Sequence, residues 1–220
     1  MELLRHLLES DASAPRLTVY NESTGARLDF SATTLDNWAA KVANMLLDEF
    51  DLTPGETIGI DLPASWQAAV IALGAYAAGI TPDFGTDGEV LFSSPDRGAD
   101  LQRYVCLVTD DAFGRGVAET GGVVPPGVVD FGPTVRLYGD TFDAPTPALH
   151  ELVSSSLPPR ARTLSTGWTD GAGFTAQVLE PLVVGGSAVI VTGLADAARL
   201  ADIARAERVT LPLHPTPELG

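Results

Sequence analysis

The stretch Ser165-Thr166-Gly167-Trp168-Thr169-Asp170-Gly171 brings hydroxyls, glycines, a carboxylate and an indole together in one short run. It follows a strand-like segment, Arg162 to Thr166, and leads into a helical one. Unpaired backbone N–H groups and the helix dipole favour an anion at such a junction, so these residues are candidate ligand contacts. The favoured reading of the same run is simpler: a strand-to-helix turn in which Asp170 caps the helix that continues through Ala176. Trp168 is the residue such a turn explains least, and it is expected to mark a ligand face if any exposed aromatic does.

Other reactive side chains form weaker patterns. His6, His150 and His214 are far apart in sequence, and no pair has the spacing that puts two imidazoles on one metal. Ser165, His214 and Asp170 assemble a hydrolytic triad only on paper, because the Gly-x-Ser-x-Gly elbow is missing. Asp110-Asp111 reads as a helix start whose carboxylates suit the dipole, and one adjacent pair without further oxygens is a poor magnesium site. Cys106 lies in an apolar run and is expected to be a buried structural thiol. Lys41, the sole lysine, falls beside the apolar stripe of a helix and is expected to be solvated there. The sequence therefore assigns no catalytic residue and no metal ligand.

Composition narrows the partners. A formal net charge of -16 with 13 Lys and Arg repels nucleic acid and anionic lipid. No apolar run reaches the roughly 18 residues of a membrane span. The acidic start MELLRHLLES lacks the basic leader and cleavage site of a secretory signal, so a cytoplasmic location is expected.

The elements that would position these residues are legible from periodicity. Leu3, Leu4, Leu7 and Leu8 predict a short amphipathic helix, and Leu17 to Tyr20 with Ala26 to Phe30 predict a hairpin. Leu35, Trp38, Ala39, Val42, Met45 and Leu46 predict a helix capped at Thr33 and ending near Phe50, with Trp38 in the core. A strand at Thr57 to Leu62 and a helix from Ser65 through Ala78, stopped at Gly79, follow; Trp66 is read as core there too. Short strands are expected at Tyr104 to Val108, Val128 to Phe131 and Val135 to Tyr138. Arg162 to Thr166, Gly173 to Val184, Ala188 to Val191, Ala195 to Glu207 and Val209 to Leu213 read as a βαβαβ unit. The expected organisation is an N-terminal α/β part, residues 1–153, and a βαβαβ part, residues 160–220, joined through Ser154 to Pro159 in one compact unit.

Two stretches carry a resemblance. In Leu35 to Asp83, the Pro54-Gly55-Glu56 turn, the Ile58 to Leu62 strand, the Pro63-Ala64-Ser65 corner, Ala78-Gly79 and Pro82 resemble the opening of the adenylate-forming (AMP-binding, acyl-CoA synthetase-like) superfamily. Near the end, Gly185-Gly186, Ala188 to Val191 and Val209-Thr210 resemble a later segment of the same enzymes. The resemblance covers about half the chain and implies a three-layer α/β fold, a largely parallel sheet flanked by helices, equivalent to part of the N-terminal domain of acyl-CoA synthetases.

The residues that do the chemistry in that superfamily are not matched. The Ser/Thr/Gly-rich loop ending in lysine, which holds the ATP phosphates, has no counterpart string, and the spacing from Gly173 to Ala188 suggests that the loop was deleted. The adenine-contacting and ribose-binding motifs and the later catalytic lysine are also absent from this sequence. The resemblance thus implies ATP or AMP as a ligand, while the residues present call for no cofactor. The expected function is a non-catalytic, pseudoenzyme-like binding or interaction module that holds a protein partner or an adenylate-like ligand in what remains of the cleft, with self-association also expected. The alternatives are an adenylate-forming subunit completed by another chain and, less favoured, a small hydrolase.

Overall fold

The computed structural model describes residues 1–97 and 104–211. The order of elements is α1 (Arg5–Asp11), β1 (Pro15–Asn21), β2 (Ala26–Ser31), α2 (Ala32–Asp48), β3 (Thr57–Asp61), α3 (Trp66–Ala77), β4 (Thr81–Asp83), β5 (Val90–Ser93), β6 (Tyr104–Leu107), β7 (Val129–Asp130), α4 (Phe131–Val135), α5 (Leu149–Leu152), β8 (Arg162–Ser165), α6 (Gly171–Phe174), a π-helical turn (Thr175–Leu179), α7 (Glu180–Val183), β9 (Ser187–Thr192) and α8 (Ala197–Ala206).

The α/β class with parallel strands and flanking helices holds, but the strands divide into two sheets. One runs β2-β1-β9-β8, the other β4-β3-β5-β6-β7. Every pairing is parallel except the β1–β2 hairpin. The register Leu17↔Ala188 through Asn21↔Thr192 draws the N-terminal hairpin into the same sheet as β8 and β9. Two short α/β parts of the sequence therefore share one hydrogen-bonded layer.

Helices α2 and α3 pack on each other; α2 lies on β1 and β2, and α3 on β3 and β4. Period-2 alternation sets which side chains meet them: Leu17, Val19, Ala188 and Ile190 face this core, while Tyr20, Val189, Val191 and Leu164 face outward against Ile203 of α8. Because α3 is enclosed by α2 and the second sheet, it is apolar nearly all round, with Trp66 to Ala75 all buried. Burying even five leucine-sized side chains stabilises by about 8–15 kcal/mol before entropy is counted.

Helix starts follow hydroxyl caps. Ser65 Oγ accepts from Ala68 N at 3.2 Å, as the sequence predicts. For α2 the cap is Ser31, which accepts from Thr34 N at 3.1 Å, and not Thr33, whose hydroxyl donates to Ala12 O. Val135 to Tyr138 is not a strand: α4 and a following turn occupy it, with Phe131 and Val135 buried at helical spacing. The expected strand Val209 to Leu213 is not formed over Val209–Leu211, and the remainder lies outside the described residues. Thr210 N still donates to Arg162 O, so the chain caps the free edge of β8 without extending along it.

Lys41 is not solvated. Its ammonium donates to Tyr138 O at 2.8 Å and pairs with Asp140, tethering α2 to the segment after α4. Cys106 is buried as expected, and burial pushes its thiol well above the ordinary range. No helix among the described residues is long and apolar enough to cross a membrane.

Candidate functional site

Parallel strands end on a common side, and both sheets turn their carboxyl ends toward two neighbouring clefts. The larger, about 530 Å³, lies between Asn21 at the end of β1, Thr192 and Gly193 at the end of β9, the corner Pro63 to Gln67, and the loop Asp110 to Arg115 beyond β6. The smaller, about 300 Å³, lies beside the same corner and is lined by Asp61, Phe84, Arg97, Trp168 and Thr169. Pro63 borders both, so the β3–α3 corner is the ridge between them.

Each wall of the larger cleft has a physical reason for its position. The hairpin turn is held by Asn21, whose Oδ1 accepts from Ser23 N at 3.0 Å and Thr24 N at 3.2 Å, and by Glu22 N donating to Thr192 O. Trp66 begins α3, stacks on Phe30 at 5.2 Å and meets Trp38 edge-on at 4.9 Å, which fixes the floor. Gln67 Nε2 donates to Asp111 O at 2.9 Å and anchors the far loop to the helix start. Asp111 then organises that loop, accepting from Phe113 N at 2.9 Å and Arg115 N at 3.1 Å. The sequence expectation of a helix starting at Asp110-Asp111 gives way to this carboxylate-closed turn, because the backbone donors point into one side chain and not along a helix axis.

The electrostatics are set by the same residue. Arg115 Nε and Nη2 both donate to Asp111 Oδ2, at 3.1 and 2.6 Å. That guanidinium, with the two backbone donors helping against desolvation, holds the Asp111 carboxyl down at about 2. Asp110 is exposed and has no such partner among the described residues. The cleft lining therefore carries two carboxylates and one guanidinium that is already neutralised. The next arginine at this end, Arg199, is likewise engaged, by Glu22 at 2.8 and 2.9 Å.

The sequence-singled loop lies at the smaller cleft. Trp168 and Thr169 line it; Thr166 points to solvent, Gly167 sits over Ala64, and Gly171 is next to Phe84. Trp168 is not an exposed aromatic. It is 5% exposed and packs edge-on to Phe174 at 5.0 Å, with Phe84 completing the cluster. Asp170 caps α6, Oδ1 accepting from Gly173 N at 2.7 Å. Asp170→Ala is expected to cost about 1 kcal/mol, read as a lowered urea midpoint with unchanged slope. Ser165 Oγ, Trp168 Nε1 and Gln177 Oε1 are buried without partners among the described residues, and Gln177 lies in the π-helical turn that follows the loop.

Of the paper triad, Asp170 is committed to its cap and Ser165 Oγ is enclosed with no partner among the described residues, while His214 lies outside them. His6 Nε2 meets Leu182 O at 2.9 Å, a structural contact. No cluster of metal-ligating side chains occurs among the described residues. The sequence reading passed over Asn21, Gln67, Phe113, Arg115 and Thr192. The signal that finds them is topological: each sits at or just beyond the carboxyl end of a parallel strand or on the corner that faces it.

Comparison with known proteins is consistent with this geometry. No family model matches the chain. The "TIGR03089 family protein" of Mycobacterium tuberculosis is 36% identical over 150 residues, 63% of this chain and 59% of that protein. The acyl-CoA synthetase of Brucella canis superposes with a TM-score of 0.72 at 14% identity, over 93% of this chain and 46% of its own. The anthranilate CoA ligase AuaEII, solved in complex with anthranoyl-AMP, superposes with a TM-score of 0.64 at 15% identity, over 91% of this chain and 46% of its own. The chain thus has the fold of a portion of an acyl-CoA synthetase, and it spans under half the length of those two enzymes and about three fifths of the mycobacterial relative.

Proposed function

We propose that this chain is a non-catalytic binding module on an acyl-CoA synthetase-like scaffold, a pseudoenzyme that takes a small ligand at the carboxyl ends of its strands and does not itself form acyl-adenylates. The observation that carries this reading is the charge of the larger cleft: Asp110 is unpaired and Arg115 is bound by Asp111. Adenylate formation spreads negative charge over a phosphorus centre, and enzymes stabilise it with cations and aimed donors worth several kcal/mol each. The sole lysine is tied to Tyr138 O and Asp140, so it offers no such group here.

Within the sequence-singled loop, Trp168 and Thr169 are the ligand-facing residues, and Ser165, Thr166, Gly167, Asp170 and Gly171 shape the turn that presents them. A protein partner or a second copy of the chain is part of the same reading; exposed Tyr104, Val123, Leu137, Leu152 and Leu194 are among the apolar side chains available to meet it. The second reading, an adenylate-forming subunit completed by further polypeptide, draws on the 46% of each synthetase that the chain spans.

ATP–pyrophosphate exchange with a panel of carboxylates separates the two. The module reading predicts none from the chain alone or with any polypeptide that assembles with it; exchange that a substitution in either cleft abolishes contradicts it.

A further inference from the structure

We propose that the larger cleft selects a cationic organic ligand, an ammonium group attached to a flat apolar body, and discriminates against the carboxylate of the same shape. This rests on the reading of that cleft as a binding site and names its ligand class.

Three features converge on it. The first is charge. Of the ionisable side chains lining the cleft, Asp111 and Arg115 cancel each other through two hydrogen bonds, which leaves the exposed carboxylate of Asp110 as the uncompensated group. The surrounding chain deepens that potential, with a net charge of -16, and Arg199, which reaches the hairpin turn, is neutralised by Glu22 there. An anion entering the cleft meets an unpaired carboxylate and no free cation among the lining residues; a cation meets an unpaired partner.

The second feature is the apolar lining. Val19, Leu28, Pro63, Ala64 and Trp66 supply walls suited to a ring or short aliphatic body, in a volume that fits a ligand of modest size. The third is Phe113. It borders the cleft and is 80% exposed, on a loop that Asp111 and Gln67 hold in place. An exposed aromatic face at the mouth attracts a cation through its quadrupole, and Phe113 lies three residues from Asp110 on the same cleft-lining loop. The indole Nε1 of Trp66 is buried without a partner on the floor side, so the residue meets the cleft as apolar surface with one unspent donor.

The test uses three probes that share a ring and differ in charge: benzyltrimethylammonium, benzyl alcohol and benzoate, each titrated calorimetrically into the full chain. The expected order is ammonium tightest, alcohol weaker, benzoate weakest. Asp110→Asn is expected to weaken the ammonium about tenfold and leave the alcohol unchanged, and Phe113→Ala to weaken the ammonium about threefold. Both side chains are exposed, so neither variant threatens folding. Benzoate binding as tightly as the ammonium, an ammonium affinity untouched by Asp110→Asn, or no binding of any probe overturns the inference. Pyrophosphate exchange judges the module reading independently: benzoate preferred at the cleft with no exchange leaves that reading standing while this one falls.

Discussion

Gly186→Ala is expected to lower the stability of the chain by about 3 kcal/mol, several times the cost of the same change one residue earlier. Gly186 leads into β9, and a Cβ there would run into the backbone oxygen of Ala161. That oxygen already accepts from Ser187 N at 2.9 Å, the bond that starts the β8–β9 ladder. The clash is with backbone, so relief requires β8 and β9 to separate at the point where Arg16 Nη1 also donates to the Gly185 and Gly186 carbonyls. At Gly185 nothing lies within reach of an added Cβ, and the cost of alanine is only that of its φ of +72°, about 1 kcal/mol. Urea denaturation of the two variants side by side checks this. Equal losses at the two positions would mean that β8 and β9 do not approach as closely as described.

The second large effect is expected at Glu207, where Glu207→Ala costs about 3 kcal/mol by leaving the half-buried Arg162 guanidinium without a carboxylate and Arg27 with Asp29 alone. Its Oε1 accepts from Tyr20 OH at 2.6 Å and Arg27 Nε at 2.8 Å, and its Oε2 pairs with Arg162, so one side chain fastens the end of α8 to β1, β2 and β8. Burial works to raise the Glu207 pKa, but the hydrogen bonds from Arg27, Tyr20 and Arg162 outweigh it and hold the group at about 2, below its ordinary 4.5. A depressed carboxylate contributes stability that is complete above the unfolded value and fades as pH falls toward the folded one. Between pH 4.5 and 2 the native chain should therefore lose stability more steeply than Glu207→Gln, and the two curves should run parallel above pH 5. Parallel curves throughout the acid range would remove Glu207 from its place as the hub.

The periodic elements of this chain were readable from its sequence because burial repeats at fixed intervals. The stripe Leu35 to Leu46, the Ser65 start of α3 and the apolar runs at Tyr104 and Ala188 all describe local geometry, and the structure keeps them. The division into two sheets was not readable, since pairing of β1 with β9 joins residues far apart in sequence and no local pattern encodes it. The same limit hid the larger cleft. Asp111 reads as a helix-start acid from its neighbours, whereas the anchoring of its loop to α3 through Gln67 and the Asp111 carbonyl joins residues far apart in sequence. Trp168 in a polar loop reads as exposed, yet Phe84 and Phe174 arrive from elsewhere to cover it. Lys41 reads as solvated until the Tyr138 carbonyl is brought against it. In contrast, the capping role of Asp170 was legible because it depends on residues three positions away and nothing more distant.

ATP–pyrophosphate exchange by the purified chain, across a panel of aliphatic and aromatic carboxylates, tests the central claim most directly. The account predicts exchange no faster than buffer for every acid, because among the described residues no unpaired cation lines the cleft to stabilise a transferring adenylyl group. Exchange above that background, abolished by a single substitution in the chain's own clefts, would contradict it.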